Sequence, residues 1–295
     1  MQEKEWNIAG GSLRYAENRG QIEITGWQGT AGEVTVPEAI EGLPVTTIGK
    51  KAFLSKKNLR KVSLPETIRE IGDWAFAYCD SLAQVALGSW KITFGKAVFL
   101  ECGSLRLLTI AGKSETVAAL LASAVWAAGA YYLLSVEEAG NREWFSKWDA
   151  RMLAVLRGAD DEGYSRQVLC GEEDYGSTDL EAFRSEQRKK KVRLLFLRLL
   201  YPDYLDSETE AEMREYLKAH TKGRTAEETW QVVLKEHGND KTYYELFTEL
   251  GCVSEENFNG LIDDIGEDYP EMKAYLMRYK AQQIGYTDFF ADLDF

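Results

Sequence analysis

The sequence contains few of the residues from which disulfide frameworks, metal centres and export signals are built. Its 295 residues include two histidines and four cysteines. The cysteines have no close spacing, which argues against a disulfide scaffold or a cysteine-rich zinc site; they are Cys79, Cys102, Cys170 and Cys252. The first residues, MQEKEWNIAGG, lack the basic segment and apolar run of a secretory signal. We therefore predict a cytoplasmic protein, or an extracellular or cell-surface one if a signal peptide was removed upstream.

Linear motifs of common catalytic sites are also missing. The sequence has no G-x-S-x-G, H-E-x-x-H or G-x-G-x-x-G. The Gly-Lys-Ser at 112–114 lacks the earlier glycine of a phosphate loop, since that position is Leu107. We predict a non-enzymatic protein without cofactor or metal. An enzyme or ion-binding protein that uses the acidic half is an alternative, with Cys170–Tyr175 (CGEEDY) as the first segment to test.

Charge divides the chain into two parts. Residues 1–115 hold 14 basic and 13 acidic side chains, whereas residues 116–295 hold 21 basic and 35 acidic ones. An acidic half of this size is repelled by nucleic acid and by anionic lipid, so we predict neither as a partner. The shift in composition predicts two domains, residues 1–114 and 115–295.

One pattern occurs three times in the first part, and each copy begins 23 residues after the previous one, at positions 48, 71 and 94. Each copy has an apolar residue before glycine, a small residue before phenylalanine, and three spaced apolar residues. The copies are Ile48-Gly49, Ala52-Phe53, Leu59, Val62 and Leu64; Ile71-Gly72, Ala75-Phe76, Leu82, Val85 and Leu87; and Phe94-Gly95, Val98-Phe99, Leu105, Leu108 and Ile110. A period of about 20–29 residues with an L-x-x-L-x-L core is typical of leucine-rich repeats. We expect one short parallel strand per coil and a helical turn at each Ala-Phe pair.

The segment VTTIGKKAFLSKKNLRKVSLPETIREIGDWAFAYCDSLAQVAL resembles the BspA-like leucine-rich repeat family, and the resemblance covers about residues 12–112. It implies a short solenoid that begins with a hairpin turning at Asn18-Arg19-Gly20. It also implies a binding surface, since members of this family are often surface-displayed bacterial proteins that bind other proteins or host molecules. Three features depart from the family pattern: Lys56 stands where later copies have cysteine, Phe94 replaces isoleucine, and no proline follows Leu87 or Ile110. They suit a short array that ends at its third full coil.

The second part is predicted to be all-α, as a bundle or an α-solenoid, so that the fold class is α+β multidomain. Apolar periodicity and capping signals place the helices, with capping boxes expected at Thr178, Ser207 and Thr225. The expected helices span residues 115–134, 143–157, 178–200, 207–220, 225–237, 241–250, 254–264 and 268–283.

Two apolar segments allow a membrane alternative. Val117–Val136 contains no charged residue and is long enough to span a bilayer. Because seven of its residues are alanine, we favour a buried helix against the last coil. Arg188–Pro202 places basic residues beside an apolar run, and we interpret it as a buried helix whose cations pair with carboxylates, rather than as a membrane-surface or partner-binding helix.

The remaining candidates for function are the repeat positions that face outward. We predict that they form a concave, mildly basic sheet face that binds an unidentified protein; they are Arg60, Lys61, Ser63, Ala83, Gln84, Ala86, Arg106, Leu107 and Thr109. Trp74, at a variable repeat position, is a further candidate anchor, although it could equally pack on the side of its coil. An interaction or scaffold module is the favoured function, and a fragment of a surface-displayed adhesin is an alternative.

Overall fold

The computed structural model describes residues 3–164, 179–224 and 226–284. It divides into two compact units, Met1–Leu156 and Arg157–Phe295. The last repeat strand ends at Ile110 and helices follow from Glu115, while the first unit continues to Leu156.

The first unit contains a solenoid with two sheets. Its strands are β1 (Lys4–Ile8), β2 (Gly11–Asn18), β3 (Gln21–Gly29), β4 (Glu33–Thr35), β5 (Ala39–Ile40), β6 (Leu43–Ile48), β7 (Lys61–Leu64), β8 (Glu70–Ile71), β9 (Gln84–Leu87), β10 (Thr93–Phe94) and β11 (Leu107–Ile110). We call β1-β2-β3-β6-β8-β10 sheet A, in which β5 pairs with β6, and β4-β7-β9-β11 sheet B. The predicted hairpin joins β2 to β3, and its turn places Arg19 and Gly20 at positive φ.

The register of sheet B confirms the predicted parallel strand in each coil. Val62 lies beside Val85, which lies beside Leu108, so that residues one period apart are neighbours in space. These apolar residues are buried, while the residues between them point to the other face because side chains alternate along a strand.

The Ala-Phe segment of each coil is not the helical turn that we predict. It is a run of tight turns in which alternate amides reach the next coil: the amide of Phe53 donates to the carbonyl of Ala75 at 2.7 Å, and that of Phe76 to the carbonyl of Val98 at 3.0 Å. Non-glycine residues at positive φ recur at equivalent positions of each coil; Lys51, Trp74 and Ala97 form one such set, and Ser55, Tyr78 and Glu101 another. The hydrogen bonds between coils offset the cost of this uncommon conformation.

Aromatic stacking fills the interior of the coils. The rings of Phe53 and Phe76 stack at 5.0 Å between centroids, and those of Phe76 and Phe99 at 5.6 Å. The thiol of Cys79 donates to the carbonyl of Phe53 at 3.0 Å, and that of Cys102 to the carbonyl of Phe76 at 3.1 Å. The predicted packing role of both cysteines is therefore confirmed.

The last coil is covered by helix α1 (Glu115–Trp126), whose first turn is capped by the side chain of Ser114. This helix packs against β11 and buries Leu120 and Leu121 completely. It ends at Trp126 rather than at residue 134 as predicted, and a 3₁₀ helix (Tyr131–Leu133) and α2 (Arg142–Arg157) follow. In the described ranges no helix combines the length and the apolar character that crossing a bilayer requires.

The second unit is helical where it is described. Its helices are α3 (Leu180–Leu200), α4 (Ser207–Ala219), α5 (Glu228–Glu236), α6 (Lys241–Glu249), α7 (Glu255–Ile265) and α8 (Pro270–Tyr279), and Lys280–Ile284 forms a π-helical turn. Their ends lie close to the predicted ones, apart from the last end, where α8 stops at Tyr279 and the π-helical turn follows. The capping box expected at Ser207 is wrong, because Asp206 caps α4 by accepting from the amides of Glu208 and Thr209. Those expected at Thr178 and Thr225 lie outside the described residues.

Candidate interaction surface

Outward side chains of sheet B form the surface that we call the sheet B face. The register places Lys61, Gln84 and Leu107 in one row and Ser63, Ala86 and Thr109 in a second. A third row precedes the strands, since the amide of Ala83 donates to the carbonyl of Arg60 at 2.9 Å and that of Arg106 to the carbonyl of Ala83 at 3.0 Å. Nine of the ten predicted residues are thus neighbours on successive coils.

Two of the three cations on this face are positioned by their neighbours. The guanidinium of Arg106 lies 4.5 Å from the ring centre of Trp126 and donates to the carbonyl of Gly103 at 2.6 Å. Lys61 Nζ lies 3.9 Å from a carboxylate oxygen of Glu33 on the adjacent strand, a weak exposed pair. The surface between the cations is nearly flat, because its central side chains are Ala83, Gln84 and Ala86.

Trp74 does not join the sheet B face. It follows β8 of sheet A, and its backbone has a φ of 55°. The ammonium groups of Lys50 and Lys51 lie 5.1 and 5.2 Å from the centre of its ring. The indole therefore packs under two lysines on the side of its coil, as the alternative interpretation expected.

A cavity that the sequence analysis missed borders the sheet B face. It has a volume of about 260 Å³ and lies where the first coil begins the stack. Its walls are formed by the end of β3 and by the turn before β7; the lining side chains include Trp27, Ala31, Ser55, Lys56, Asn58 and Leu59. The departure of Lys56 from the cysteine of later coils is the sequence signal that marks this place.

The cavity and the sheet B face are joined through the backbone. The amides of Arg60 and Lys61 both donate to the carbonyl of Gly32, at 2.7 and 3.0 Å. Gly32 directly follows Ala31 of the cavity wall, and Arg60 directly follows Leu59. The residues of the cavity and of the sheet B face are therefore neighbours along the backbone.

The second unit has a buried ionic cluster on the predicted basic segment. Arg188 donates to carboxylates of Asp160 at 2.9 Å, Glu181 at 2.8 Å and Glu228 at 3.3 Å. Lys191 bonds the second oxygen of Asp160 at 2.7 Å. Burial alone would raise the pKa of Asp160, but the hydrogen bonds from Lys191 and Arg188 outweigh it and lower that pKa. The prediction of a buried helix whose cations pair with carboxylates is confirmed.

A larger cavity in the second unit, of about 450 Å³, has polar walls that bond to one another. The hydroxyls of Thr248 and Tyr275 lie 2.9 Å apart, and the hydroxyl of Tyr279 donates to the carbonyl of Thr248 at 3.2 Å. These three groups bond to one another, and the rest of the lining is also polar: Glu249, Arg278, Gln282 and Gln283.

Reactive groups are few among the described residues. Burial raises the pKa of Cys79 to about 11 and those of Cys102 and Cys252 to about 12, which makes all three poor nucleophiles. In residues 3–164, 179–224 and 226–284 no three histidine, cysteine or carboxylate side chains come together as a metal site would require. The segment Cys170–Tyr175, proposed as an ion site from the sequence, lies outside the described residues.

Comparison with known families identifies the solenoid. A family model described as "BspA type Leucine rich repeat region" matches residues 34–121 in six copies. Residues 34–121 are a BspA-type leucine-rich repeat region. The BspA-type region covers the stacked strands from β4 onward and extends into α1, while the N-terminal hairpin lies before it.

Solved structures similar to this chain match about a third of it. A leucine rich cell surface protein from Faecalibacterium prausnitzii is 26% identical, covers 36% of this chain and 30% of its own, and has a TM-score of 0.32. A leucine-rich repeat protein from T. pallidum is 24% identical over 32% of this chain and 67% of its own, with a TM-score of 0.25. One from Bacteroides capillosus is 19% identical over 37% of this chain and 99% of its own, with a TM-score of 0.28. No curated protein matches the chain.

Proposed function

We propose that the protein is a non-enzymatic interaction module whose sheet B face binds an acidic protein partner. The observation that carries the proposal is that Arg60 and Lys61 on the first coil and Arg106 on the third lie on the same side of the stack, with the neutral residues of the second coil between them. A surface on which cations outnumber carboxylates steers an acidic protein and selects against a basic one; here Glu33 is the carboxylate beside Lys61.

Support for a binding role also comes from the rigidity of the frame. Each coil is tied to the next by sheet A, by sheet B and by the turns that carry Phe53 and Phe76. Such a stack presents its outer side chains at fixed spacings, so little conformational entropy is lost when a partner docks. Leu107, 48% exposed at one end of the face, adds an apolar contact beside the cations.

Charge reversal on the face tests this proposal. The variant Arg60→Glu/Lys61→Glu is compared with a control of equal charge change, Lys96→Glu/Lys147→Glu, whose lysines lie elsewhere on the first unit. With full-length protein as bait and quantitative mass spectrometry as readout, we expect proteins captured by wild type and control to be lost from the face variant. The amount of protein captured by wild type should also fall when the salt concentration is raised about tenfold, from about 0.05 to about 0.5 M, because salt screens exposed charges.

Identical capture by all three proteins would contradict the proposal. Circular dichroism melting of each variant shows that any loss is not due to unfolding. Arg106 is left unchanged in this test, since its stacking on Trp126 contributes to the fold as well as to the face.

The cytoplasmic location belongs to the same proposal. Its support is that Cys79, Cys102 and Cys252 are free thiols, and unpaired cysteines are usual where the surroundings are reducing. Protease treatment of intact cells tests it: a cytoplasmic protein survives, whereas a surface-displayed adhesin is digested.

A further inference from the structure

Cys79 and Cys102 occupy the same position in successive coils, and the first coil has a lysine there instead of a cysteine. Both thiols point into the coil, are completely or almost completely buried, and bond to a carbonyl of the coil before. Lys56 takes the same position in the first coil, one period before Cys79. No earlier coil of the same kind stands in front of it, and the cavity of about 260 Å³ lies there instead.

The cavity is lined by both apolar and polar residues. Trp27, Ala31 and Leu59 are apolar, while Ser55, Lys56 and Asn58 are polar. Its volume is that of several water molecules, each of which takes about 30 Å³ in the liquid. A short side chain with an apolar stem and a polar end can therefore fit inside it.

Of the described residues, two lysines line the cavity, and only one of them forms an ion pair with a carboxylate. Lys57 also lines it and forms an ion pair with Asp80. Lys56 is half-buried, and no carboxylate of the described ranges lies within ion-pair distance of its ammonium. A partly desolvated ammonium gains more from a carboxylate than an exposed one does, because the pair forms in a lower dielectric and as a charge-assisted hydrogen bond.

We propose that this cavity binds an aspartate or glutamate side chain of the protein partner, with its carboxylate on Lys56 and its methylene stem against Trp27 and Leu59. This proposal rests on the proposed function, since the partner that inserts the side chain is the acidic protein on the sheet B face. The shared backbone at Gly32 and Arg60 places the two sites side by side.

Peptide binding to full-length protein tests the cavity directly. The probe is a fluorescein-labelled octapeptide of alternating glutamate and leucine, and its counterpart has glutamine in place of glutamate. Fluorescence anisotropy is measured for wild type, Lys56→Met and Lys96→Met, where methionine keeps an unbranched apolar stem and removes the ammonium. We expect Lys56→Met to weaken the glutamate peptide by about tenfold or more and Lys96→Met to leave it unchanged.

Each other result overturns the cavity proposal in a recognisable way. If the glutamine peptide binds wild type as well as the glutamate peptide does, the carboxylate has no role. If Lys56→Met binds like wild type while Arg60→Glu/Lys61→Glu does not, the sheet B face stands as the proposed function and the cavity falls. If inorganic phosphate displaces the peptide at equal concentration, Lys56 is an unselective cation and not a site for a carboxylate side chain. The melting temperature of Lys56→Met should equal or exceed that of wild type, because the substitution removes a half-buried ammonium without an acidic partner.

Discussion

Replacing the central ring of the phenylalanine stack should unfold the repeat region more readily than any exposed change nearby. Phe76 is completely buried and stacks on Phe53 on one side and on Phe99 on the other. Tyr78 lies close to it in the same coil, is 44% exposed, and serves as a matched aromatic control. The compared variants are Phe76→Leu, Phe76→Ala and Tyr78→Leu.

The expected magnitudes follow from burial and from the two ring contacts. Truncating a buried phenylalanine to alanine costs about 3–5 kcal/mol in the free energy of unfolding. Leucine keeps most of the apolar volume but loses two aromatic pairs, each worth about 0.5–1.5 kcal/mol, so we expect a loss of about 1–3 kcal/mol. Tyr78→Leu should change the free energy by less than about 0.5 kcal/mol, as is usual for exposed positions.

Urea denaturation of the full chain, followed by hydrogen exchange and mass spectrometry of peptides from residues 43–110, measures the repeat region separately from the second unit. Because neighbouring coils share their interface, we expect all three coils to lose protection together in the Phe76 variants. The reasoning is refuted if Phe76→Leu costs no more than Tyr78→Leu, or if only the second coil loses protection.

Three further predictions concern other parts of the fold. Cys79 should resist iodoacetamide at pH 8 in the native protein and react in urea, as peptide mapping would show. Burial raises the pKa of this thiol from 9.0 to about 11. Its contribution to the free energy of unfolding is therefore full below pH 9 and is lost as the pH rises toward 11. Arg188→Met should destabilise the second unit by about 3–5 kcal/mol in urea denaturation, since it leaves the buried carboxylate of Glu228 without a cation, whereas Lys147→Met, at an exposed pair, should cost less than about 0.5 kcal/mol. Tyr131→Phe should cost about 1 kcal/mol and speed hydrogen exchange at Glu101, because the amide of Glu101 donates to the Tyr131 hydroxyl at 3.3 Å.

Periodicity predicted which residues of sheet B lie side by side. The step along the chain that relates Lys61 to Gln84 and Leu107 is the same step that pairs them in register. The prediction succeeds because each coil of a solenoid repeats the buried positions of the coil before. Residues one period apart in the sequence are therefore neighbours in space. The surface rows could therefore be predicted without any knowledge of the turns between strands.

The turns themselves could not be predicted from the same pattern. Lys51 and Trp74 adopt positive φ, which sequence rules reserve largely for glycine, and a helical turn was the expected alternative. Hydrogen bonds from one coil to the next decide the conformation, and these are tertiary contacts that local propensity does not contain. Trp74, a candidate anchor from the sequence, lies in such a turn and follows sheet A rather than the sheet B face.

The two ends of the stack differ in how they are closed, and this difference is what gives Lys56 its importance. At the far end α1 covers β11, and the Tyr131 hydroxyl accepts the free amide of Glu101. At the near end β3 and Ala31 cover the first coil only in part, which leaves the cavity beside Lys56. Packing against the neighbouring coil explains the residues that keep the repeat pattern. It does not explain Lys56, which breaks the pattern at an end that is only partly covered. The acidic side chain that we propose for the partner would enter at this end, next to the periodic residues that form the sheet B face.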